Sequence, residues 1–266
     1  MGAIEEISTD KTEVAPGSAA DLERFFKKAG CTEEEAFAAK ELNWGWKDFG
    51  EEDGAALAYV IKEHQKCITL DLYVNELFPK AGALIGHALA HNRQLKTLDL
   101  QQGQIGVDGA KALSQSLKSH PSLMNLKLHY NHLGPEGIQF ICEALKTNNT
   151  LTNLDVGDNG IMREGVKSLA SMLETNVSLM RLEVSKNAGL WGDDESKAIL
   201  TAAAALHQQA REQATQRIPQ DALEFKLLMD DSPGQLWTPD GFVNVPKMTR
   251  ARVVNRHKDD EPIVVT

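Results

Sequence analysis

One nine-residue segment written five times at a fixed spacing constrains this chain more than anything else in it. Cys67-Ile68-Thr69-Leu70-Asp71-Leu72 is followed at a constant step by Leu95-Lys96-Thr97-Leu98-Asp99-Leu100, Leu123-Met124-Asn125-Leu126-Lys127-Leu128, Leu151-Thr152-Asn153-Leu154-Asp155-Val156 and Leu179-Met180-Arg181-Leu182-Glu183-Val184. The starts at 67, 95, 123, 151 and 179 make every step 28 residues. Self-similarity at such a period marks a solenoid, whose units bury their apolar faces only against one another.

Within a copy, the first, fourth and sixth positions are apolar, as in a short strand that sends alternate side chains into a core. The ninth is Asn75, Asn131, Asn159 and Asn187 in four copies, and Gly103 in the second. A buried Asn can satisfy backbone groups that a tight turn leaves unpaired, so the Gly103 turn is expected to be the less well tied one. Leu77, Ile105, Leu133 and Ile161 follow the turn, and a helical register then aligns Ile85, Leu113, Ile141 and Leu169 with Leu89, Leu117, Leu145 and Leu173 four residues on. Ala81, Gly109, Gly137 and Gly165 stand where each helix approaches its neighbour. The pattern predicts an α/β solenoid with parallel strands centred on Leu70, Leu98, Leu126, Leu154 and Leu182.

This arrangement, Leu-x-x-Leu-x-Leu-x-x-Asn-x-Leu and then a helix, resembles the ribonuclease-inhibitor-like leucine-rich repeat. The resemblance implies a horseshoe arc with strands on the concave face and helices on the convex face, and it is specific for fold rather than task. Residues 67–194 carry the matched copies. Subtracting one period puts Ala39, Leu42 and Trp44 at inward strand positions, so 18–66 reads as a helical cap plus a degenerate first repeat, after a polar arm at 1–17. Residues 195–222 read as a capping helix and 223–266 as an irregular tail, part cap and part linker or partner-binding strand.

The net charge of -10 argues against nucleic acid and fits a partner with a basic patch. With no apolar run long enough to span a bilayer and no signal-peptide pattern at Met1, a cytoplasmic protein without a membrane contact is expected. Cys31, Cys67 and Cys142 read as small apolar residues in a reducing compartment. The Asn148 and Asn176 sequons share one repeat slot and read as polar helix ends.

Neither His87/His91 nor His129/His132 has the further ligands a zinc site needs, and Gly103, Gly106 and Gly109 belong to the repeat rather than to a phosphate loop. No metal, cofactor or catalytic residue is therefore expected. Outward strand positions and the slots beside them are more telling: Asp71, Asp99, Lys127, Asp155 and Glu183 form one column, with Tyr73, Gln101, His129, Tyr130 and Asp158 next to it. These predict a concave, mostly acidic interaction face with the two tyrosines as anchors. Arg250, Arg252 and Arg256 lie in a basic stretch of the tail that could make a second contact or dock on the acidic body.

A non-enzymatic interaction or scaffold subunit of a larger assembly is the expected role. The resemblance extends to actin-filament capping proteins and to axonemal and flagellar components, which implies a cytoskeletal, ciliary or flagellar setting. As an alternative, the same repeat type resembles that of the Ran GTPase-activating proteins, which implies a regulator of a small GTPase; no activating residue carries over.

Overall fold

A computed structural model describes residues 17–214, 225–230, 235–238, 241–244 and 252–253. Six strands, β1 (Glu41–Asn43), β2 (Thr69–Asp71), β3 (Thr97–Asp99), β4 (Asn125–Lys127), β5 (Asn153–Asp155) and β6 (Arg181–Glu183), lie parallel in sequence order. The central leucines pair in unbroken register, Leu42 with Leu70, then Leu98, Leu126, Leu154 and Leu182, as the period requires. Each of these side chains is at most 4% exposed, so the repeated leucines make one continuous core.

Between the strands run α3 (Gly54–Glu63), α4 (Phe78–Leu89), α5 (Gly106–Leu117), α6 (Gly134–Leu145) and α7 (Arg163–Leu173), each packed on the next. Their spacing depends on small residues: a Cβ on Gly165 would lie 2.6 Å from Ile161 Cγ2 and 2.8 Å from Ile138 Cγ2. Two asparagine ladders knit the coils. In the first, Asn131 Oδ1 accepts the N–H groups of Gly103 and Ile105, and its Nδ2 donates to Leu100 O at 2.7 Å. Asn75, Asn159 and Asn187 repeat the pattern, so each asparagine ties the turn of the coil before its own. The weak point expected at Gly103 is therefore displaced: the Gly103 turn is held by Asn131, while Gly103 offers no side-chain oxygen to Asn75 and Leu77. Asn75 also donates to Leu72 O of its own turn at 2.8 Å, as Asn187 does to Val184 O.

The second ladder, which sequence reading noticed only at Asn148 and Asn176, closes the helix ends. Asn92, Asn148 and Asn176 each donate to a carbonyl of the previous coil and accept two N–H groups from their own. His120 fills the missing rung, its Nδ1 accepting from Leu123 N at 3.0 Å. Both sequon asparagines are buried.

The two ends are closed by different chemistry. α1 (Ala19–Ala29) and α2 (Glu33–Ala38) both start on capping boxes, and α1 drives Phe25 into a stack on Phe49 with centroids 4.8 Å apart, edge-on to Trp44. At the other end α8 (Asp194–Ala214) spans 21 residues. Its buried His207 sits 2.9 Å from Leu179 O, and Arg211 donates to Val177 O at 2.7 Å. Beyond it the tail, expected to be irregular, supplies a seventh parallel strand, β7 (Lys226–Asp230), with Leu227 in register on Leu182. The long helix shifts the phase from 28 to 45 residues, which hid this strand from the repeat pattern. β8 (Gln235–Thr238) and β9 (Gly241–Asn244) form an antiparallel hairpin, and β10 (Arg252–Val253) pairs antiparallel with β7.

Candidate functional site on the strand face

Alternation puts the third and fifth position of every copy on the side of the sheet away from the leucine core. There Thr97, Asn125 and Asn153 lie in register and join into a polar row: Asn125 Nδ2 donates to Thr97 Oγ1 at 3.1 Å and Asn153 Nδ2 to Asn125 Oδ1. Arg181 continues that row on β6 and is exposed.

The fifth-position column, expected to be mostly acidic and open, is open only in part. Asp71, Asp155 and Glu183 are half-exposed, and each carboxylate accepts the backbone N–H two residues on, at Tyr73, Gly157 and Ser185. Asp99, expected among the open carboxylates, is only 5% exposed. Lys127 Nζ lies 2.8 Å from its Oδ2, and Gln101 donates to both oxygens from its side-chain amide. The reason is register: β4 places Lys127 directly beside Asp99, so a cation of the chain itself fills the middle of the column. That hydrogen bond, with the carboxylates of Asp99, Asp71 and Asp155 nearby, raises the Lys127 pKa above the ordinary lysine value. His129 Nδ1 faces Asp155 Oδ1 at 3.5 Å, and the same ring closes over Gly157, where a Cβ would meet it at 2.5 Å.

The turn after each strand carries the aromatics. Residues 46, 74, 102, 130, 158 and 186, one period apart, are Trp46, Val74, Gln102, Tyr130, Asp158 and Lys186, and all adopt positive φ between 49° and 61°. Left-handed backbone disfavours any residue with a Cβ, and a β-branched Val74 most of all. Tyr130 is half-buried with its ring edge-on to His132 at 5.2 Å, and Tyr73 is half-buried against Trp46 at 5.8 Å. Sequence reading passed over Trp46, which is 70% exposed. The period contained the signal, since 74 minus 28 gives 46, but attention went to Trp44, which alternation sends into the core.

Arg250 and Arg256 lie outside the described residues, and Arg252 opens β10. Although His129 faces Asp155, among the described residues no group of three or more His, Cys, Asp or Glu could hold a metal ion. His129 and His132, expected to be exposed, are half-buried in the turn, as is His87 on α4. The cysteines are free; burial pushes the Cys67 thiol up to about 11 and holds Cys142 above the ordinary thiol range. Among the described residues no helix is long and apolar enough to cross a membrane.

The leucine-rich-repeat family model matches three consecutive stretches, residues 91–114, 119–142 and 147–170. No curated protein matches the chain. Among solved structures it is similar to the actin-binding site 2 of leiomodin-1, at 20% identity and a TM-score of 0.47 over 74% of this chain and 94% of that one. It is also similar to the C-terminal domain of tropomodulin from Caenorhabditis elegans, at 14% identity and a TM-score of 0.49 over 61% and 97% of the two chains. Likenesses at these identities and TM-scores say nothing of this chain's partner. Each coil spends 28 residues on one strand, one asparagine-tied turn and one full helix, and with the family match this makes the chain a solenoid of leucine-rich repeats.

Proposed function

We propose that the chain is a non-enzymatic interaction subunit that holds a protein partner with a basic patch against its concave strand face. The observation that carries this reading is the outward half of the sheet: apart from Asp99, the third- and fifth-position side chains of β2 to β6 stay half-exposed or exposed, in contrast to the sealed leucine side. Such a face is polar, rigidly spaced by the ladders and bordered by aromatic rings, which suits docking of another chain. Asp71, Asp155 and Glu183 supply negative charge, Tyr73 and Tyr130 supply amphipathic contact area, and Gln101, His129 and Asp158 offer hydrogen bonds beside them. The basic tail around Arg252 makes a second contact.

The setting proposed with it is a cytoplasmic assembly of cytoskeletal or axonemal type. The test is affinity capture followed by mass spectrometry, with Tyr130→Ala and a chain lacking residues 246–266 beside the wild type. Each change is expected to weaken retention of the same basic partner at least fivefold without moving the thermal transition by more than a degree or two. Retention unchanged in both variants would place the partner on the helical side and overturn the reading; co-sedimentation with actin filaments and with microtubules tests the setting.

A further inference from the structure

We infer that the corner formed by Trp46, Tyr73 and Asp71, at the N-terminal end of the strand face, is a subsite for a single cationic side chain, lysine or arginine, of a protein partner. This rests on the reading of the strand face as the partner surface and gives it a specific point of recognition. Three observations converge there. The indole of Trp46 is 70% exposed, the largest exposure of any big apolar side chain among the described residues. Its ring stands at 81° to that of Tyr73 with centroids 5.8 Å apart, so the two make adjoining walls at right angles. Asp71 adjoins the same turn: a Cβ added to Gly45, the residue before Trp46, would sit 3.5 Å from Asp71 Oδ1 and 3.6 Å from Tyr73 Cβ.

The corner is fixed in advance. Trp46 N donates to Tyr73 O at 2.9 Å, and Tyr73 N donates to Asp71 Oδ1 at 2.8 Å, which leaves Oδ2 of Asp71 for a ligand. Trp46 is held at a φ of 58°, a conformation that costs any residue with a Cβ, so the turn rather than the side chain's own preference presents the ring. Two aromatic faces beside a carboxylate attract a cation through the ring quadrupoles and through charge, whereas an uncharged apolar side chain would gain nothing from the carboxylate.

The chain supplies its own precedent and its own contrast. One step along the same column, the Asp99 carboxylate holds the ammonium of Lys127 at 2.8 Å. No cation among the described residues is paired with Asp71, and the neighbouring Lys47 turns away, its Nζ lying 3.3 Å from where a Cβ on Gly30 would be. Glu41, Asp48 and Glu76, close in sequence to the strands and turns that form the corner, are also exposed, and Lys127, whose pKa the Asp71 charge helps to raise, is bound to Asp99.

The basic tail of the chain cannot be the occupant while β10 stays paired. Six strand steps separate β2 from β10, about 29 Å at ~4.8 Å each. Lys247 and Lys258 each lie five residues from β10, a reach of at most about 18 Å. With the C-terminal tail held away, the cation is assigned to another chain.

The test is ¹⁹F NMR on the full chain carrying 5-fluorotryptophan at its four tryptophans, the Trp46 signal being assigned by its loss in Trp46→Phe. The probes are the acetylated peptide amides Gly-Arg-Gly, Gly-Lys-Gly and Gly-norleucine-Gly at low ionic strength. The Trp46 signal is expected to move with the arginine and lysine peptides and not with the norleucine peptide, and Asp71→Asn should weaken the response at least fivefold. An equal response to norleucine, no response to any probe, or a response indifferent to Asp71→Asn overturns the subsite. A response that appears only after deletion of residues 245–266 means the tail occupies the corner, and the assignment to another chain is wrong. The subsite and the broader reading fail separately: partner capture that depends on Tyr130 with no cation response at Trp46 removes only the subsite, and the reverse pattern removes only the Tyr130 surface.

Discussion

Asp99 and Asp71 hold the same position in consecutive coils, yet one is sealed into the structure and the other is open to a partner. The difference lies one strand further on. Asp99 has Lys127 beside it in register, whereas the strand neighbours of Asp71 are Asn43 and Asp99. The asparagine ladders belong with Asp99: their polar atoms are buried and spent on the backbone of the adjoining coil. A solenoid thus sorts its polar side chains by what the next coil offers, and a column read down the sequence mixes sealed groups with open ones.

Changes to the sealed groups should be costly and changes to the open ones nearly silent in stability. The largest effect belongs to Asn131→Ala, which strips the N–H groups of Gly103 and Ile105 and the carbonyl of Leu100 of their buried partner. A loss on the order of 3 kcal/mol is expected in a denaturant titration, since each orphaned backbone group costs roughly 1–3 kcal/mol. Lys127→Met comes next. It leaves the buried Asp99 carboxylate without its cation, but the lysine side chain is 46% exposed, so screening holds the cost to about 1–2 kcal/mol. Asp71→Asn in the same assay should shift stability by less than about 0.5 kcal/mol; equal costs for the two would erase the distinction.

Acid should attack the sealed groups as well. Burial lowers the pKa of His64, His120, His132 and His207 below the ordinary histidine value. The unfolded chain takes up protons as pH falls through about 6.5 while the folded chain refuses them. Stability is therefore complete above that pH and declines below it, until the folded histidines titrate, by about 1.4 kcal/mol for each unit by which a pKa is lowered. His120→Asn restores the ladder residue of its neighbours and should flatten part of the slope between pH 6.5 and 5. An unchanged slope would mean that the lowered pKa of His120 does not contribute to the acid sensitivity. The opposite sign is expected at Val74→Asn, where a residue tolerant of positive φ replaces a β-branched one and should raise stability by about 1 kcal/mol.

The sequence made some of this visible and hid the rest for identifiable reasons. Leu70, Leu98, Leu126, Leu154 and Leu182 could be placed because one period governs all of them and a slip of one residue would turn each out of the core. β7 escaped because α8 is longer than the repeat helices and breaks the phase. Both partners of the Asp99–Lys127 pair were on view 28 residues apart, but alternation reports only which face a side chain takes, not whether a neighbour covers it. Trp46 was hidden by adjacency to Trp44, since in a degenerate coil the inward residue draws the eye. His207 and Arg211 stand in a helix outside the repeat, where nothing marks a buried polar residue before its carbonyl partners are known.

The central claim is that a basic partner lies on the strand face, and site-directed photocrosslinking tests it most directly. A photoreactive phenylalanine at Tyr73 or Tyr130 is compared with one at Lys111 or Glu143, exposed positions on α5 and α6, and the crosslinked peptides are read by mass spectrometry. Crosslinks from Tyr73 and Tyr130 into a lysine- and arginine-rich segment of a single partner, with little from the helical positions, are the predicted result. Crosslinks to that partner arising chiefly from Lys111 and Glu143 would contradict the account.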